Sequence, residues 1–155
     1  MVLETWSCRH VHARLQASRP TTLFAALNAL DGSVIAMCQP RHRHDEWLKF
    51  LRRIKRSTPK HLSLHLVVDE YATHRHPEVQ EWLARNPRFV MHFTPTSGSW
   101  LNMVERFFRD ITTERLRRGV FTSVPELEAA INEYVADAQA RSRVTGRLPR
   151  DRRGP

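Results

Sequence analysis

The run LSLHLVVD, Leu62 to Asp69, limits what this chain can fold into more than any other stretch. Its apolar character becomes continuous toward the carboxyl end, which predicts a strand covered on both faces and so a sheet with helices on either side. The last residue is an acid, so Asp69 is delivered to the rim of that sheet. A second acid, Glu105, lies in the aromatic segment SWLNMVERFF, Ser99 to Phe108. Two carboxylates brought together at a sheet edge make a site for hard divalent cations, because Mg²⁺ prefers charged oxygen ligands and keeps waters that a phosphate can displace.

The surrounding elements follow from periodicity and turn chemistry. Asp31-Gly32 between two apolar runs predicts a hairpin with a type I′ turn joining strands at about Thr22–Leu30 and Ser33–Cys38. The alanines of the first run would also suit a helix, but a helix would waste the turn that follows. After Pro40, Trp47, Leu48, Leu51 and Ile54 fall at helical spacing, with Arg52, Arg53, Lys55 and Arg56 on the other faces and Asp45 and Glu46 in the first turn, where acids complement the helix dipole. Pro77 opens a helix through about Asn86 with Val79, Trp82 and Leu83 inward, and a strand at Phe89–Phe93 follows.

A breaker-rich loop, Thr94 to Ser99, precedes a helix beginning near Trp100. Its stripe of Leu101, Val104, Phe108 and Ile111 places Glu105 at the rim of the buried face, beside Asn102 and Arg109. Ser123, Pro125 and Glu126 open a last helix carrying Leu127, Ala130, Ile131, Tyr134 and Val135. Alternating strands and helices indicate an α/β mixed sheet flanked by helices. Three segments result: residues 1–20, irregular for want of a period; residues 21–136, the folded domain; and residues 137–155, a basic disordered tail. Cys8, His10 and His12 have no second ligand pair at zinc spacing, so no zinc site is predicted there.

With 25 Lys plus Arg against 16 Asp plus Glu, the net charge is +9 and the pI near 10.9, which favours a polyanionic partner. Two cysteines in unrelated contexts imply free thiols in a reducing cytosol, and no apolar run reaches membrane-spanning length. There is no nucleophile elbow for a hydrolase and no glycine-rich phosphate loop.

The pattern D-x-Y-A-T-H from Asp69, followed by H-F-T-P-T-S-x-S-W-L-N-x-V-E-x-F-F from His92, resembles the DDE endonuclease domain of bacterial insertion-sequence transposases of the mariner superfamily. The likeness extends over roughly Thr21 to Val135. It implies a ribonuclease-H-like, integrase-related fold, with Asp69 and Glu105 as the second and third acids of the catalytic triad and 35 residues between them. It further implies two Mg²⁺ (or Mn²⁺) ions held in part by these two residues, and metal-dependent DNA strand cleavage and transfer during transposition. DNA, both transposon ends and target, is the implied partner, within a homodimer or synaptic complex in the bacterial cytoplasm, near the nucleoid. His74, Ser99, Trp100, Asn102, Arg106 and Arg109 are the candidate DNA contacts, by type and location.

The family's first aspartate stands on the first strand, and residues 1–20 hold only Glu4. The sequence therefore predicts a fold lacking its first strand, truncated at both ends, without the amino-terminal helix-turn-helix and with an Arg-rich tail. Two functions fit: an incomplete or inactive transposase catalytic domain, or a non-catalytic remnant that binds DNA or pairs with an intact transposase.

Overall fold

The computed structural model describes residues 3–14, 20–28, 30–69, 75–94, 105–106, 109–116 and 121–145. Five strands form one sheet: β1 (Leu3–Arg14), β2 (Pro20–Asn28), β3 (Val34–Gln39), β4 (Ser63–Asp69) and β5 (Phe89–Thr94), in spatial order β3-β2-β1-β4-β5. β1, β2 and β3 pair antiparallel, while β4 and β5 run parallel to β1. The helices are α1 (His44–Ser57), α2 (Pro77–Arg85) and α3 (Val124–Thr145), with a π-helical segment, Thr112–Leu116, ahead of α3.

Alternation along the strands divides the core in two. On one face Phe24, Ala26, Leu64, Leu66 and Val68 meet Trp47, Phe50, Leu51 and Ile54 of α1 and Val79 of α2. On the other, Leu23, Ala25, Leu27 and Val34 meet Ile111 and Leu127, Ile131, Tyr134 and Val135 of α3. α1 reads as predicted: the Glu46 carboxylate accepts the Arg43 N–H at 3.1 Å, and its apolar stripe is buried. α2 starts on the predicted Pro77 and is capped by the His76 ring. At the start of α3 the Glu126 carboxylate accepts the Thr122 N–H at 2.8 Å and the Thr122 hydroxyl at 2.9 Å, and Ser123 Oγ accepts the Glu126 N–H at 3.4 Å.

The end of the sheet where β4 begins is tied by one side chain. The Arg88 guanidinium donates to the carbonyls of Lys55 (2.9 Å) and Pro59 (2.6 Å) and to the Thr58 hydroxyl (2.9 Å), joining the exit of α1 to the entry of β5. Among the described residues no helix is long and apolar enough to cross a membrane.

Three expectations are corrected. Residues 1–20 are not irregular throughout and the fold does not lack its first strand: Leu3–Arg14 form β1, paired with β2 through nine positions and with β4 through six. The period was illegible because β1 carries Glu4, Cys8, Arg9, His10 and His12 in the middle of the sheet, where ladder pairing on both edges outweighs composition. The hairpin exists, but its turn is longer than two residues: Asn28 N–H donates to Ser33 O at 2.8 Å, four residues separate that pair, and Gly32 takes the positive φ of 73°. Residues 137–145, expected in a disordered tail, continue α3. Alanines 136, 138 and 140 favour helix, and the Gln139 amide donates to Val34 O at 3.0 Å.

Leu66 is fully buried in the first core layer. Leu66→Ala should lower unfolding stability by about 2–5 kcal/mol in urea titration. Val90→Ala on the exposed side of β5 should change it by no more than about 0.5 kcal/mol.

Candidate active site

β4 ends on Asp69, whose Cα partner on β5 is Thr94. On the other side the register runs from Leu3↔Ser63 to Cys8↔Val68, and one further step sets Arg9 level with Asp69. Arg9 itself pairs with Ala25 of β2. Asp69 therefore stands at the rim with a strand on each side, as its place at the end of an apolar run predicted. Position 69 belongs to the odd-numbered set of β4, the parity opposite to Leu64, Leu66 and Val68, which face α1 and α2.

Glu105 and Arg106 are helical and half-buried. Helical residues 109–111 lead into Thr112–Leu116, and Ile111 is fully exposed to neither solvent nor rim: it is buried against α3 and the Leu23, Ala25 and Leu27 face of β2. Ile111 therefore ties residues 109–116 to the face whose parity includes Asp69. Arg109 is exposed, its Nε 3.9 Å from Asp110 Oδ1, a surface pair of little energetic weight. His74, Ser99, Trp100 and Asn102 lie outside the described residues.

The one acid in β1, Glu4, is the Cα partner of Leu64. Leu64 lies five residues before Asp69, roughly 16 Å along the strand. Asp69 and Glu105 are both oxygen donors of the kind that suits a hard cation.

Sequence reasoning passed over one group at the same end of the sheet: His44, His76 and Glu78, which the fold brings together. Its sequence signals are R-H-R-H ahead of α1 and H-R-H-P ahead of α2.

A family model described as "DDE superfamily endonuclease" matches residues 8–128. The chain is 27% identical over 89 residues to an insertion element IS630 uncharacterized 39 kDa protein of Shigella sonnei, a match covering 57% of this chain and 26% of that protein. Among solved structures, a chain of the simian T-cell lymphotropic virus intasome in complex with PP2A regulatory subunit B56 gamma is similar with a TM-score of 0.72 at 15% identity, over 100% of this chain and 59% of that one. The HTLV-2 integrase catalytic core domain in complex with magnesium is similar with a TM-score of 0.59 at 13% identity, over 87% of this chain and 84% of that one. At these identities the likeness to integrases establishes the fold, the ribonuclease-H-like α/β architecture predicted from the sequence.

The docking of the 109–116 segment on α3 is visible in Tyr134. Burial first, and then the carboxylates of Glu114 and Asp110, push its phenol up from 10.0 to about 12, against the opposing pull of Arg141. The folded chain keeps this proton to about pH 12, whereas the unfolded phenol loses it near 10. Stability from this group is therefore complete below pH 10 and declines as pH rises toward 12. In Tyr71→Phe, which leaves Tyr134 as the sole tyrosine, phenolate absorbance should stay absent in the native chain at a pH between those values and emerge in urea.

Proposed function

The chain belongs to the DDE superfamily endonucleases, and from that premise we propose that it is a mariner-type transposase catalytic domain for DNA strand cleavage and transfer whose site is one carboxylate short. The observation that carries this reading is the position of Asp69: the carboxyl end of β4, a strand between two parallel neighbours, one residue beyond the last β1 pair, Cys8↔Val68, so that continuing the register by one step leads to Arg9 on β1. That is the strand on which the resemblance places the first acid of a triad.

Asp69 and Glu105 are the ligands available to a divalent ion. Mg²⁺ bound there would supply the positive charge that activates a water or 3′-hydroxyl and stabilises the leaving oxygen of a phosphodiester. The chain's own part is positional. The backbone of Asp69 is held by its pairing with Thr94, Glu105 and Arg106 are helical, and Arg106 and Arg109 are cations for neighbouring phosphates. His74, Ser99, Trp100 and Asn102 complete the proposed DNA contacts. The exposed side of α1, with Lys49, Arg52, Arg53, Lys55 and Arg56, adds long-range attraction for a polyanion.

The non-catalytic alternative draws on the same strand. Arg9, at the register position one step beyond Cys8↔Val68, is a basic residue where a third carboxylate would help to hold metal, which favours DNA binding over cleavage in the chain as it stands. The partners proposed are accordingly DNA and other copies of a transposase, in a bacterial cytoplasm.

The test is a plasmid-nicking assay with Mg²⁺ or Mn²⁺. The native chain should nick near background, and Arg9→Asp should raise nicking by about 10²-fold or more, the scale of metal charge stabilisation worth several kcal/mol. Adding Asp69→Asn or Glu105→Gln to Arg9→Asp should remove the gain. An Arg9→Asp chain that binds DNA without nicking it would favour the remnant. Nicking that survives both carboxylate substitutions would sink the site.

A further inference from the structure

β3 is parallel to β4, since two antiparallel steps and one parallel step separate them in the sheet. The chain leaving β3 therefore enters α1 at the end of the sheet where β4 delivers Asp69 and where α2 also begins. The two helix starts lie side by side. His44, the first residue of α1, and His76, the residue capping α2, stack with ring centroids 3.6 Å apart and planes 3° from parallel. Glu78, in the first turn of α2, has Oε2 3.6 Å from His44 Nε2. One ligand atom from each of the three lies within 4.8 Å of the others.

Two imidazoles and a carboxylate make a donor set unlike that of Asp69 and Glu105. Nitrogen donors select Zn²⁺ and its neighbours in the transition series, whereas oxygen-only sites select Mg²⁺. At Zn–N and Zn–O distances of about 2.0–2.1 Å, tetrahedral donors stand roughly 3.3 Å apart, close to the present spacing of His44 and Glu78. The two rings must open from their stack, because imidazole lone pairs lie in the ring planes and parallel planes do not converge on one ion. Both rings are half-exposed and have room to turn. His76 gives up little in turning, since the Glu78 N–H it accepts at Nδ1 is 3.3 Å away, a long hydrogen bond.

Charge also matches. Two helix N-termini repel a cation, but Glu78 and Asp45, the latter 2.6 Å from His44 Nε2, bring two negative charges to meet a dication. The geometry points to a Zn²⁺-class site at His44, His76 and Glu78 that clips the start of α1 to the start of α2. His76 lies seven positions after Asp69, so the clip fixes the far end of the short link between the strand rim and α2. The site is separate from the carboxylate pair and does not depend on the reading of that pair.

Titration of the untagged chain with Co²⁺ tests this. A tetrahedral site gives visible d–d absorption that saturates at one equivalent and is lost when Zn²⁺ is added. Glu78→Gln, at an exposed position, and His76→Asn, which retains a helix-capping acceptor, should each weaken binding by about 10²-fold or more, with unchanged far-ultraviolet circular dichroism. Asp69→Asn should leave it unchanged. Absence of the band in the native chain overturns the proposal. So does full affinity in both substituted chains, or loss with Cys8→Ser while His44→Ala still binds, which would move the ion to β1.

Discussion

Six parallel Cα pairs, Leu3–Cys8 against Ser63–Val68, join the hairpin half of this sheet to its crossover half. The antiparallel strands β1 to β3 could form a meander alone, and β4 with β5 is a two-stranded unit that needs a partner to bury its apolar face. The shared ladder fuses them and so sets which residue of β1 stands beside the end of β4. A slip of one residue would reverse the faces of every side chain in β1 and take Trp6 out of the first core layer. Burial of Trp6 against Phe24 and Trp47 therefore protects the register on which the rim geometry rests.

What the sequence discloses follows where burial is greatest. β4 was legible to its last residue because Leu64, Leu66, Val67 and Val68 are all buried, although His65 beside His92 leaves the odd-numbered face partly open, against the expectation of cover on both sides, and α1 because its apolar stripe is unbroken from Trp47 to Ile54. β1 was not, since its composition contradicts its place and only pairing on both edges explains it. The extension of α3 was masked by arginines whose charge argues for solvation, while Arg141 in fact lies 5.9 Å from the centre of the Tyr134 ring. For the candidate site, Asp69 could be placed from pattern alone, whereas the His44, His76 and Glu78 group depends on where two helices start and has no single-segment signature.

The end of the sheet where β4 terminates on Asp69 also carries nitrogen donors, at the starts of α1 and α2. Between and around them are cations of a chain with net charge +9.

At the far end, Arg88 holds the carbonyls of Lys55, Pro59 and Leu62 and the Thr58 hydroxyl at once. A guanidinium is a flat, rigid fork, so this junction resists shear between α1 and β5 far better than a single flexible contact would. Movement of α1 along the sheet therefore requires several of these hydrogen bonds to break together.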